Sequence, residues 1–271
     1  MPLSTSATKE IWKACRGWAT SLLAGAEQLV FPAACRICSQ PLPDSTGSKP
    51  AALTADRLCG GCRLELCDHS RRCSRCGLPG AGGNGCSGCR QLVARLGAGQ
   101  PLWQEFAVLG RYDGLLREAV LHAKHPTGED LAELLALLLL AQRPAIRSWG
   151  IAAVVPIPMH WRRRWKRGTN AAAAMARQLA RQLGVPLRHA LARSAVTPLQ
   201  RSLPAASRPG NVAASFRLRD RRVGGNVVLL VDDVATTGAT LAAATGLLLE
   251  AGVPVVYAAV AARAEASADS P

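Results

Sequence analysis

Between Leu134 and Arg219 the chain contains no Asp or Glu, although fifteen Arg and Lys residues fall in the same interval. With a formal net charge of +15, this excludes an acidic surface over that part of the molecule. It predicts a positive field suited to phosphorylated ligands or nucleic acid. Aromatic residues are scarce, at 4%, so the core must be built from aliphatic side chains and alanine. Long apolar runs are missing as well. The stretch "LAELLALLLLAQR" is too short to cross hydrocarbon, and "IWKACRGWATSLLAGAEQLVFP" includes Lys13, Arg16 and Glu27 and lacks a cleavage-like site. These absences predict a cytoplasmic protein with no membrane span. No Ser/His/Asp or Cys/His arrangement points to covalent catalysis.

The 271 residues suffice for one large or two modest domains, and an apolar content of 49% is that of a folded chain. Ile11, Cys15, Trp18, Leu22 and Leu29 recur at roughly helical spacing, which predicts an amphipathic helix over 1–33, ended by Pro32. Residues 34–92 are rich in Cys, Gly and Pro and poor in large apolar side chains, so something other than apolar burial must hold them together. Beyond residue 100, strand and helix periods alternate: "FAVLGRYDG", "LLREAVLHAKH", "GEDLAELLALLLLAQR", "IAAVVPIP", "NAAAAMARQLARQLG", "GNVVLLVDD", "GATLAAATGLLLEAG" and "VPVVYAAVAAR". The strands are apolar on both faces, as in a mostly parallel sheet covered by helices. Residues 100–263 are therefore expected to form one α/β domain, with 264–271 a disordered tail.

Eight of the ten cysteines form four C-x2-C pairs: Cys35 and Cys38, Cys59 and Cys62, Cys73 and Cys76, Cys86 and Cys89. Two-residue spacing lets both thiolates of a knuckle face one ion, and two knuckles complete a tetrahedron. Two structural zinc ions are expected, although iron–sulfur clusters use the same donors. Sequential and crossed pairing of the knuckles both satisfy the spacing. Cys15, Cys67 and His69 receive no ligand assignment.

The stretch "VVLLVDDVATTGATL" reads as a buried strand, Asn226 to Val231, with Asp232 and Asp233 near its C-terminal end and a helix opening after it. Ligands of open α/β sheets bind outside that edge. In the turn from Ala235 to Thr240, small Ala235 and flexible Gly238 permit close backbone approach. Thr236, Thr237 and Thr240 can supply hydroxyl donors, and the first amides of the helix that follows have no intrahelical partners. Such a turn cradles a phosphate monoester. Carboxylates would repel that phosphate, so Asp232 and Asp233 need another partner: vicinal sugar hydroxyls, or Mg²⁺ held directly or through water. A ribose carrying a 5-phosphate satisfies both demands, while a purely structural role, capping the next helix, is the alternative. The stretch lacks the G-x-x-x-x-G-K-[ST] and G-x-G-x-x-G patterns of other phosphate loops.

"VVLLVDDVATTGAT" resembles the signature of type I phosphoribosyltransferases, enzymes that bind phosphoribosyl pyrophosphate (PRPP) on a parallel sheet flanked by helices. The order of motifs resembles the ComF family, whose members accompany DNA uptake in natural competence. The matching pieces are the cysteine pairs after "VFPAAC", then "YDGLLREAVLHAKH", "VVPIPMHWRRRWKRGTN", "LQRSLPAASRPGNVAASF" and the acidic signature. The resemblance implies a type I phosphoribosyltransferase-like α/β domain with a double zinc ribbon at 34–92, binding PRPP with Mg²⁺. Asp232 and Asp233 would orient the ribose, and Ala235, Thr236, Thr237, Gly238, Ala239 and Thr240 would hold its phosphate. Arg167, Gly168 and Asn170 match an R-G-F-N motif near the pyrophosphate, with Thr169 in the aromatic position. Lys124 would approach the pyrophosphate or form a surface salt bridge, and 197–216 resembles a flexible segment near the site. The basic run Arg162–Arg167 suits a phosphoribosyl ligand, single-stranded DNA or neither. Expected partners are PRPP or another ribose 5-phosphate ligand, single-stranded DNA and DNA-uptake proteins. A non-enzymatic DNA-binding adaptor and a nucleobase salvage transferase are the competing readings.

Overall fold

The computed structural model describes residues 34–42, 57–80, 82, 86–97, 102–159, 169–193, 216–220, 223 and 225–265. The helix expected over 1–33, the loop around 43–56, the basic run 160–168, the segment 194–215 and the end of the tail lie outside the described residues. Two units are distinguished, one containing the described residues up to residue 60 and the other running from Gly61 onward.

Helices α1 (Gly60–Leu66) and α2 (Ser87–Leu96) accompany the cysteine pairs. The α/β region then proceeds as β1 (Phe106–Arg111), α3 (Gly114–Ala123), α4 (Glu129–Gln142), a 3-10 turn (Pro144–Ser148), β2 (Ala153–Pro156) and α5 (Ala171–Leu183). Short strands β3 (Leu191–Arg193) and β4 (Phe216–Leu218) follow, then β5 (Val227–Ala235), α6 (Ala239–Glu250) and β6 (Val255–Arg263). Four strands make one sheet in the order β1-β6-β5-β2, every pair parallel. The expected α/β architecture is therefore the one observed.

Local chemistry explains the elements. The sheet strands are buried along most of their length, as their unbroken Val, Leu and Ala content requires when helices cover both faces. Helix α5 begins where the Asn170 side chain accepts the Ala173 amide at 3.4 Å, and it ends at Gly184, whose φ of 68° is left-handed. Its alanines allow close approach to α4, whose Leu131, Leu134, Leu135, Leu138 and Leu139 are buried. Glu133, buried on α4, faces Arg177 at 3.4 Å and Arg181 at 3.5 Å.

One boundary differs from expectation. Strand β5 continues through Asp232 and Asp233 to Ala235, because its β6 edge stays paired to the end, Ala235 opposite Arg263. Its other edge loses its partner earlier, since β2 stops at Pro156 opposite Val231. The antiparallel β3–β4 pair was not anticipated; three-residue strands leave too little periodicity to read.

Candidate functional site

Where β2 has ended and β5 continues, Asp232 and Asp233 stand half-buried at the C-terminal edge of the sheet. Each carboxylate accepts the amide of the next residue, Asp232 Oδ1 from Asp233 at 2.9 Å and Asp233 Oδ1 from Val234 at 2.7 Å. Burial, reinforced by the neighbouring Asp233 charge, pushes the Asp232 carboxyl well above the usual carboxylate range. Lys124, just beyond α3, places its Nζ 3.2 Å from Asp233 Oδ2, both side chains being 17% exposed. The lysine thus belongs to the acidic site and acts as the counter-charge of Asp233.

The turn Ala235–Thr240 follows directly. Ala235 and Gly238 are buried, Thr236 and Thr237 are exposed, and Ala239 and Thr240 are half-buried at the start of α6. Gly238, with φ of 81°, makes the left-handed entry into α6 that a side chain would resist. Thr237 Oγ1 accepts the Ala239 amide at 3.3 Å, so one hydroxyl already turns toward the helix entrance. Three threonine hydroxyls and the N-terminus of α6 thus fall within six residues, groups of the kind that can bind anions.

Beside the far edge of β2 lies a cavity of about 520 Å³, lined by Pro158, Thr169, Asn170, Arg177, Arg193 and Arg219 among others. The Thr169 hydroxyl is buried there without a hydrogen-bond partner among the described residues. Arg193 Nε donates to the Pro158 carbonyl at 3.2 Å, and its guanidinium lies 5.0 Å above the Phe216 ring. The short β3–β4 pair is thereby joined to the end of β2.

The cysteine knuckles pair sequentially. Sulfurs of Cys35, Cys38, Cys59 and Cys62 lie within 4.8 Å of one another, and those of Cys73, Cys76, Cys86 and Cys89 do the same. Cys73–Cys89 and Cys76–Cys86 sulfurs are 3.5 and 3.7 Å apart, and Cys38–Cys59 sulfurs 3.6 Å. Four ligands at a Zn–S distance of 2.3 Å give tetrahedral edges of about 3.8 Å, so the spacing fits zinc. Burial pushes the Cys76 thiol up to about 12, with neighbouring cysteines adding to it; burial raises Cys86 too, but the Cys89 amide and nearby thiols outweigh it and bring that group down to about 7. Four thiolates can share this space once a dication offsets their repulsion.

Residues 169–271 match the phosphoribosyl transferase domain family. The DNA utilization protein YhgH of Salmonella typhimurium is 32% identical over 234 residues, covering 84% of this chain and 96% of that protein. YhgH of Escherichia coli strain K12 is 30% identical with the same coverage. Competence protein F of Haemophilus influenzae is 31% identical over 202 residues, 72% of this chain and 80% of its own. The chain belongs to the ComF/YhgH family. For this family member the transferase match takes in Thr169, Asn170, both aspartates and the whole turn Ala235–Thr240. Lys124 and the cysteine clusters lie outside it.

Of the residues singled out from the sequence, the fold brings together Asp232, Asp233, Lys124 and the turn Ala235–Thr240. Asn170 sits apart, capping α5 beside the cavity. Arg167 and Gly168 lie outside the described residues. Sequence reasoning missed Arg263, which is 4% exposed and donates to the carbonyls of Cys76 and Ala235, each at 3.1 Å. Its one signal is a charge closing the otherwise apolar strand "VVYAAVAAR".

Proposed function

We propose that this ComF/YhgH-family protein binds PRPP with Mg²⁺ and uses that ligand, as a phosphoribosyltransferase, in the uptake or processing of transforming DNA. The observation that carries the proposal is the junction of β5 and α6. Two carboxylates and an ammonium precede a turn that offers backbone amides and threonine hydroxyls but no further charge. A ribose 5-phosphate has complementary ends, with hydroxyls that donate to Asp232 and Asp233 and phosphoryl oxygens that accept from Thr236–Thr240.

Asp232 and Asp233 would orient the sugar, and anchoring its remote phosphate would reduce the motional freedom of the reacting carbon. Bound Mg²⁺, held by the two aspartates or through their waters, would supply charge stabilisation for the leaving pyrophosphate. Lys124 is within reach of the same anion once Asp233 engages a cation. Arg167, Gly168 and Asn170 would serve the pyrophosphate end, as the motif resemblance implies, with Arg193 and Arg219 lining the cavity beside Asn170. The DNA connection follows the names of the relatives and the acid-free interval 134–219, which suits single-stranded DNA and DNA-uptake proteins as partners in the cytoplasm. Among the described residues no helix is long and apolar enough to cross a membrane.

Calorimetric titration with PRPP tests the reading. Magnesium-dependent binding is expected in the wild type, weakened at least about 100-fold in the Asp232→Asn/Asp233→Asn double variant, as loss of two charge-assisted contacts implies. Equal affinity for both proteins would remove the aspartates from the site. Release of pyrophosphate with a DNA-derived acceptor would establish transfer beyond binding.

A further inference from the structure

We propose that the cluster Cys73/Cys76/Cys86/Cys89 sets the shape of the phosphate turn through Arg263, so that metal occupancy there and ligand binding at Ala235–Thr240 are coupled. The identity of the ligand rests on the PRPP reading; the coupling itself does not.

Three consecutive carbonyls of the Cys73–Cys76 knuckle are taken by the α/β domain. Ser74 accepts from the Phe106 amide at 2.6 Å, Arg75 from Trp103 Nε1 at 2.8 Å and Cys76 from Arg263 Nε at 3.1 Å. Arg263 then reaches with Nη1 to the Ala235 carbonyl, which also accepts the Ala264 amide at 2.8 Å. Ala235 ends β5 and begins the turn. One buried guanidinium therefore joins a metal knuckle to the first residue of the anion cradle, and its planar fork fixes both distances together.

The second knuckle meets the same turn directly. Cys86 and Cys89 lie at the start of α2, and Leu92 one turn further on is 2% exposed. A Cβ on Gly238 would fall 2.9 Å from Leu92 Cδ1 and 3.4 Å from the Trp103 ring. The turn is seated on α2 with no slack. Gly88 shows how tightly the two knuckles close, since a Cβ there would lie 2.8 Å from Cys76 Sγ. Opening the cluster releases Arg263 on one flank and Leu92 on the other. Thermodynamic reciprocity then requires that a ligand ordering the turn also tighten metal retention.

Hydrogen exchange of the amides of residues 236–240, measured on the full-length zinc-loaded protein, is the test. Exchange is expected to be about tenfold faster in Cys86→Ser/Cys89→Ser and unchanged in Cys35→Ser/Cys38→Ser, within the usual range of coupling factors. Arg263→Lys, with metal still bound, keeps the charge but not the two-carbonyl bridge, and is expected to give the same acceleration. This variant decides the matter if the cysteine variant does not fold. Adding PRPP with Mg²⁺ to the wild type should slow zinc transfer to a chelator by a similar factor. Unchanged exchange in Arg263→Lys, or PRPP binding with no effect on zinc transfer, overturns the coupling. Accelerated exchange in a protein that fails to bind PRPP upholds the coupling and overturns the proposed ligand.

Discussion

A carboxyl group placed beside another carboxyl, and partly removed from water, is held at a cost to folding. Asp232 is in that position, and the Lys124 charge lowers only part of the rise that burial and Asp233 produce. The site is thus built against stability, as sites that must wait for a ligand often are. Asp232→Asn retains the oxygen that accepts the Asp233 amide and removes the charge. The unliganded variant is expected to be more stable by about 1 kcal/mol, raising Tm by about 2–4 °C for a chain of this size, while PRPP affinity falls. Scanning calorimetry reads the first effect, and a Tm below that of the wild type would show that the ionised carboxylate stabilises its strand.

Elements place these groups, and the α3–α4 corner is the clearest instance. Helix α3 stops at Ala123, Lys124 follows, and α4 resumes at Glu129 with Gly128 at its entrance. A Cβ on Gly128 would lie 2.1 Å from the His122 carbonyl oxygen and 2.8 Å from Ala123 Cα, so backbone meets backbone where only glycine fits. Lys124 leaves this corner with its Nζ 3.2 Å from Asp233 Oδ2. Gly128→Ala must open the corner and is expected to cost about 2–3 kcal/mol in urea denaturation, the scale of an overpacked site. A change under about 0.5 kcal/mol would mean that the corner yields freely and does not position the lysine.

Across the molecule, charge works over long separations in sequence. Arg72, 4% exposed, pairs with Asp68, donates to the Gly77 carbonyl at 2.7 Å and reaches Glu265 at 3.0 Å, so the cysteine-rich region is tied to the end of β6. Burial raises the Asp68 carboxyl, but hydrogen bonds from Ser70 and Arg72 and the guanidinium charge outweigh it and hold the group below its ordinary value. A depressed carboxylate contributes fully above its unfolded pKa of about 3.9, and that contribution is lost as pH falls through the lower folded value. Asp68→Asn is therefore expected to lose about 2 kcal/mol near neutral pH, the scale of a hydrogen bond to a charged partner. The gap from wild type should close as acid protonates Asp68, and a gap that persisted undiminished in strong acid would assign the loss to packing.

What could be read from the chain alone was whatever short-range chemistry dictates. The spacing of the cysteines announced two four-thiolate sites, apolar runs announced buried parallel strands, and the Asp-Asp-x-x-Thr-Thr-Gly order announced a turn from a strand into a helix. The segment "NAAAAMARQLARQLG" already placed the end of α5 at Gly184, because helix termination depends on a few neighbouring residues. Tertiary structure alone decided the partners. It chose sequential over crossed knuckles, carried β5 past β2 so that Asp232 and Asp233 stand inside a strand, and turned Lys124 onto Asp233. It also buried Arg263 between Cys76 and Ala235, since a guanidinium's preference for two carbonyls distant in sequence has no periodicity and is expressed only once the chain has folded around it.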